Sequence, residues 1–282
     1  MNLKSFLFLT LGVFVSTQVM AQSNVLNAKT PAEMNQRTEA QIAQDNDEPL
    51  PYGFVDKRDV LWGKYTWEKI DLDERRNFPL YYPVDTNYVD PSRRSLYDVL
   101  LTNIKNGRIP HIYTDSYFTN TRTLKEIEAT LKKVDTLDLG RQQLNAGEEL
   151  SPEYVDTREL SAADIEEYRV RGYWYIDKRQ GELKYRLLGI APVAPDVNFI
   201  DSDQAVLVEL FWVFLPEARE VLHEAKTFND RNSSHPISFD HLLNSRRFSA
   251  TIYKEDNVYG DREIKDYISD NSLMQLLESD RI

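Results

Sequence analysis

Apolar positions along this chain fall into short segments of two periods, separated by long polar stretches. Asp59–Ile70 carries Val60, Leu61, Trp62, Tyr65, Trp67 and Ile70, a pattern that predicts a strand. Asp71–Asn77 is charged and permits helix, whereas Phe78-Pro79-Leu80-Tyr81-Tyr82-Pro83 predicts extended chain, because each proline disfavours helix in the residue before it. Leu96, Leu100, Leu101 and Ile104 then recur at helical spacing, with Ser95 as cap, Asp98 as its acidic partner and Gly107 as stop. Arg108–Tyr113 predicts a strand and Leu124–Lys133 a helix. Thr136–Leu160 lacks a period and predicts irregular chain. Ser161 and Asp164 predict the cap of a helix over Ser161–Arg171 that stops at Gly172. Tyr173–Asp177 and Glu182–Ile190 predict a hairpin turning through Lys178–Gly181. Ala205–Phe214 predicts a buried strand, and Pro216 suits the first turn of a helix over Glu217–Lys226. These elements make the fold class α+β.

An internal likeness emerges when Ser95 is aligned with Ser238. Leu96, Val99 and Leu100 then match Phe239, Leu242 and Leu243. After a gap of about one helical turn, Arg108-Ile109 matches Arg247-Phe248, and Ile112-Tyr113 matches Ile252-Tyr253. Trp67 precedes the first set and Trp212 the second, and short helices over Leu124–Ile127 and Arg262–Ile264 close them. Two readings stay open: related α+β modules over 59–135 and 205–282 joined by a helix and hairpin segment, or chance agreement between amphipathic segments.

The chain's start changes the picture of where it works. Lys4 is followed by an uncharged apolar run to Met20, and Val19-Met20-Ala21 has small residues at the positions a signal peptidase reads. Residues 1–21 are therefore expected to be a signal peptide, cut before Gln22. The run is shorter than the roughly 18 apolar residues that read as a membrane span. With no Cys in the chain, no lipidated Cys can follow the cut, and disulfides, thiolate metal sites and Cys nucleophiles are excluded as well. Residues 22–54 read as a polar, flexible arm, either ordered by a partner or a passive leader.

Hydrophobic residues make up 41% and aromatics 11%, enough for a sizeable core. The formal charge of −12 repels nucleic acid and anionic lipid heads, so protein partners are expected.

Candidate chemistry is sparse. His223-Glu224 lacks the second His of a zinc-protease helix, and Pro236 with a helix start separates His235 from His241, so no metal site is expected. No G-x-S-x-G or Gly-rich phosphate loop occurs, and no cofactor is expected. Glu255 and Asp256, in a loop flanked by Tyr253 and Tyr259, are the best pair for sugar hydrolysis. Trp62, Trp67, Trp174 and Trp212 offer aromatics for a small ligand, although core or interface is the commoner use. Asn232-Ser233-Ser234 has the form of an N-glycosylation sequon, and Asp135-Thr136-Leu137 that of a Bacteroidetes O-glycosylation acceptor at Thr136.

Four stretches in order carry a resemblance: Ile70-Asp71-Leu72 with Asn77–Pro83, then Gly189–Val193, then Leu210–Arg219, then Ile252–Tyr259. From about residue 55 to the C-terminus the chain resembles the gliding-motility GldN family, called PorN in non-gliding relatives, of the Bacteroidetes type IX secretion system. His241 stands where the family usually has a second acid after the Ser238 cap, and Gly260 sits between Tyr259 and Asp261. The resemblance implies a periplasmic structural protein without enzymatic activity. Its implied partners are the outer-membrane lipoprotein GldK (PorK), with which the family forms a large ring by self-association, and the motor subunit GldM. Two other classes compete: a periplasmic carbohydrate-active enzyme using Glu255 and Asp256, and a small-ligand-binding module.

Overall fold

The computed structural model describes residues 47–85, 87, 89, 93–147, 152–199, 206–229 and 236–282. The expected signal peptide, most of the expected arm, Ala205, the sequon and His235 lie outside these residues. Strand β1 (Val60–Asp71) leads into a 3-10 turn (Arg75–Asn77) and helix α1 (Phe78–Tyr81). Helix α2 (Leu96–Lys105), strand β2 (Ile112–Tyr113) and helix α3 (Leu124–Leu131) follow. Next come β3 (Lys132–Thr136), α4 (Asp138–Ala146) and β4 (Val155–Glu159). The long strands β5 (Glu167–Asp177) and β6 (Glu182–Pro195) form the central hairpin. Then follow β7 (Leu207–Glu209), β8 (Trp212–Phe214), α5 (Leu215–Glu224), β9 (Lys226–Thr227) and β10 (Ile237–Ser238). Helix α6 (Phe239–Asn244), strand β11 (Thr251–Glu255) and helices α7 (Ile264–Tyr267) and α8 (Ser272–Arg281) end the chain.

The main sheet runs β11-β1-β5-β6-β8-β2, with β7 also on β6, and its neighbours pair antiparallel. Alternation divides its faces. Ile70, Tyr168, Val170, Ile190 and Val213 face the main core, closed by Leu96 and Leu100 of α2, Leu222 of α5 and Phe239 of α6. Trp67, Ala191 and Trp212 face the other way and form a second cluster with Tyr65, Tyr113, Phe118 and Tyr253.

The strand after each Ser-capped helix lies at an edge of this sheet, beside the Trp-bearing strand of the other half. After α2, Tyr113 pairs with Trp212; after α6, Lys254 pairs with Trp67. Both caps form: the Ser95 hydroxyl accepts from the Asp98 N–H at 3.1 Å, and that of Ser238 from the His241 N–H at 3.1 Å.

The hairpin is longer than the sequence pattern indicated, and it turns through Gly181 at φ 66, a conformation that suits glycine. At Gly172 the Tyr185 ring occupies the space a Cβ would need, so the tyrosine lies flat across the strand.

Several expectations are corrected. Phe78–Tyr81 is helical, not extended, because Pro79 falls in the first turn, where no N–H is needed. Ser161 and Asp164 do form a capping box, but it closes only a 3-10 turn (Ala162–Asp164); Tyr168 and Val170 then alternate with Arg169 and Arg171 as strand. Thr136–Leu160 is not irregular: β3 pairs with β4 around α4. That ribbon is solvated on both sides, so it leaves no alternation to read. The expected strand to Phe214 is split by buried Leu210 and Phe211, and Arg108–Tyr113 is strand only at its last two residues. The compact unit begins at Pro49. Tyr52 lies against Arg219 and Arg186, 4.0 and 4.6 Å from its ring centre, and donates to Asn244 Oδ1 at 3.0 Å. Among the described residues, no helix is long and apolar enough to cross a membrane.

Candidate functional site

Glu255 ends β11 and Asp256 follows it, and the fold gives both carboxylates structural partners. Glu255 is ion-paired with Lys64 on the neighbouring strand. Asp256 Oδ1 accepts the Tyr65 N–H at 3.2 Å, while its own N–H donates to the Tyr65 carbonyl at 3.1 Å. Burial pushes the Asp256 carboxyl up, against the Tyr65 N–H, which favours its charge. The two groups fasten the edge strand to β1.

The four tryptophans are not brought together. Trp67 and Trp212 are buried in one cluster with Ala191, Trp62 is half-exposed near the hairpin end, and Trp174 lies under Arg246 at 5.1 Å. The face that holds Trp67 is filled by cations. The Arg171 guanidinium sits 4.6 Å from Tyr65, 4.9 Å from Trp67 and 5.0 Å from Tyr117. Lys254 lies 4.4 Å over Trp67 and donates to the Tyr117 hydroxyl, which donates to Asp261 at 2.8 Å. Burial and the Asp261 carboxylate push the Tyr117 hydroxyl up to about 12. Tyr65, Trp67 and Tyr117 thus each already have a cationic partner.

The other named residues are scattered. His111 Nδ1 meets Glu217 Oε2 at 3.0 Å on the surface, and His241 belongs to the first turn of α6. Among the described residues, no group of three or more His, Asp or Glu is placed to hold a metal ion. Thr136 is the last residue of β3, half-exposed and paired with Val155.

What the fold does present is apolar surface on α8, a helix the sequence analysis passed over. Asn271 caps it by accepting the Met274 N–H at 3.0 Å, and Gln275 ties it to the Ile268 carbonyl at 2.7 Å. Leu273, Met274, Leu276 and Leu277 are 65, 48, 50 and 53% exposed. At about 100° per residue they share one side of the helix. Single exposed apolar residues are ordinary, but a row of four on one helix marks a contact surface. The Asn271 cap and the Leu273/Leu277 spacing were the signals available in the sequence.

Residues 55–282 match the family model described as gliding motility associated protein GldN. The chain belongs to the GldN family. That match starts at Val55 and spans the sheet, both Ser-capped helices and α8. The GldN family is a gliding-motility one, and its model covers nearly all of the compact unit from Pro49. Among curated proteins, none matches this GldN-family chain.

Proposed function

We propose that this protein is a structural component of the periplasmic, outer-membrane-associated ring of the type IX secretion and gliding machinery. The match of residues 55–282 to the GldN family carries this reading. Its partners in the proposal are a GldK/PorK-like outer-membrane lipoprotein, further copies of itself, and a GldM-like motor subunit. The signal-peptide pattern of residues 1–21 and the absence of Cys support export without a lipid of its own. The exposed row on α8 supports assembly, since a large apolar patch gains most by being covered.

The engaged state of Glu255 and Asp256 favours assembly over catalysis. Asp256→Asn keeps an acceptor for the Tyr65 N–H, and Glu255→Gln removes only the ion pair with Lys64. Both variants are expected to assemble and to support secretion. The paired substitution Leu273→Asp and Leu277→Asp alters exposed positions, for which stability changes stay within about 0.5 kcal/mol per site. It is expected to lower the fraction of protein in the high-mass complex and, with it, secretion of cargo. Size-exclusion profiles and secreted-cargo assays in the same strains read both. Secretion lost in Glu255→Gln with the complex intact would favour an enzyme instead.

A further inference from the structure

A second surface has the opposite character to the chain as a whole. A cavity of about 800 Å³ opens between the Arg75–Asn77 turn with α1 on one side and the β9–β10 pair with α6 on the other. Arg75, Arg76, Arg93 and Arg247 line it, on a protein of formal charge −12. Among the described residues, none of these four guanidinium groups has a carboxylate partner. The Arg93 guanidinium is 4.8 Å from the Phe228 ring centre, and Phe78 meets Tyr82 edge-on at 5.4 Å. These three rings are 44, 37 and 47% exposed for Phe228, Phe78 and Tyr82, so apolar surface alternates with positive charge along the opening.

Side-chain hydrogen bonds tie down the Arg75–Asn77 turn and α1, which form one wall. Asn77, fully buried under the arginine turn, donates to the carbonyls of Asp71 and Ser249 and accepts from the Ser249 N–H at 2.8 Å. The Thr227 hydroxyl donates to the Pro79 carbonyl, joining β9 to α1. A preformed groove binds without the ordering cost that loops incur.

We propose that this groove docks an acidic segment of a partner protein, one in which carboxylates alternate with aromatic or large apolar side chains. Arginine forks fit carboxylates, and exposed rings take apolar anchors. A nucleic acid strand fits less well, because the surrounding negative field opposes a long polyanion. The inference does not rest on the assembly reading, since the isolated chain is enough to test it.

The test is fluorescence anisotropy of the purified mature protein with a labelled peptide of alternating Asp and Phe. Its counterpart with Lys in place of Asp, a single-stranded oligonucleotide and inorganic phosphate serve as rivals. The Asp-Phe peptide is expected to bind, more weakly as salt rises, and the Lys-Phe peptide not to bind. The variant with Arg75→Glu and Arg76→Glu is expected to lose about tenfold or more in affinity. Arg247→Gln, on a separate segment, should weaken binding too and guards against misfolding of the double variant. Arg58→Glu, outside the groove, should leave affinity unchanged. Equal binding of both peptides, or indifference to the groove arginines, would overturn the proposal. So would displacement of the peptide by the oligonucleotide or by phosphate with the same arginine dependence.

Discussion

Arg246→Ala is expected to lower stability by about 3–5 kcal/mol, the usual effect of stranding one member of a buried ion pair. The guanidinium donates to both oxygens of Glu68, at 3.0 and 2.8 Å, from the turn that follows α6. It also lies over Tyr185 at 4.2 Å and Phe248 at 5.3 Å. Burial opposes its charge, and the hydrogen-bonded Glu68 carboxylate outweighs that opposition. Glu68 is 0% exposed in the centre of β1, so removing the arginine strands its carboxylate without its charged partner. At about 2–4 °C per kcal/mol for a chain of this size, melting should fall by roughly 6–20 °C. Thermal unfolding followed by circular dichroism reads this directly. The double variant Arg246→Ala with Glu68→Gln should recover part of the loss, because it removes the stranded charge. A fall of under about 2 °C in the single variant would mean that the pair is solvated.

Trp212→Ala should cost about 3–5 kcal/mol, as large-to-small changes in a closed core do. Trp212 is 0% exposed and packs with Trp67 and Ala191 across the sheet. Its indole N–H donates to Glu209 at 2.6 Å, and Glu209 also receives Arg169 at 2.8 Å. Loss of the ring therefore opens a cavity and weakens a charged network together. Tyr113 beside Trp212 and Tyr253 beside Trp67 hold the two edge strands, so both edges of the sheet should loosen. Trp67→Ala should show a comparable loss, and the double variant less than the sum, because both side chains belong to one buried cluster with Ala191. The urea midpoint at unchanged slope is the measurement. A midpoint close to that of the parent protein would contradict a closed Trp67–Trp212 cluster.

Legibility in the sequence followed burial. Strand β1, the β5–β6 hairpin and both Ser caps were readable because each places apolar residues at one clean period or ends on a specific capping side chain. The β3–β4 ribbon was not readable, since its strands are charged on both faces and only Leu131 and Leu160 at its base are buried. The start of β5 was misread because a true capping box at Ser161 sits just before it and ends after one turn. The candidate chemistry was less legible still. Glu255 and Asp256 stood out by type and neighbourhood, but tertiary pairing with Lys64 and Tyr65 gives them a fastening role. The groove arginines come from three places in the chain, and packing of α1 against β9 and β10 unites them. Family membership was readable from ordered short motifs that no single element displays.

The most direct test of the account is the state of the native protein in envelope fractions of its host. Solubilised gently and separated by size, it should run in a high-mass complex together with an outer-membrane lipoprotein, and removal of that lipoprotein should release it in soluble form. A protein found only at monomer mass, free of any lipoprotein, would contradict the account.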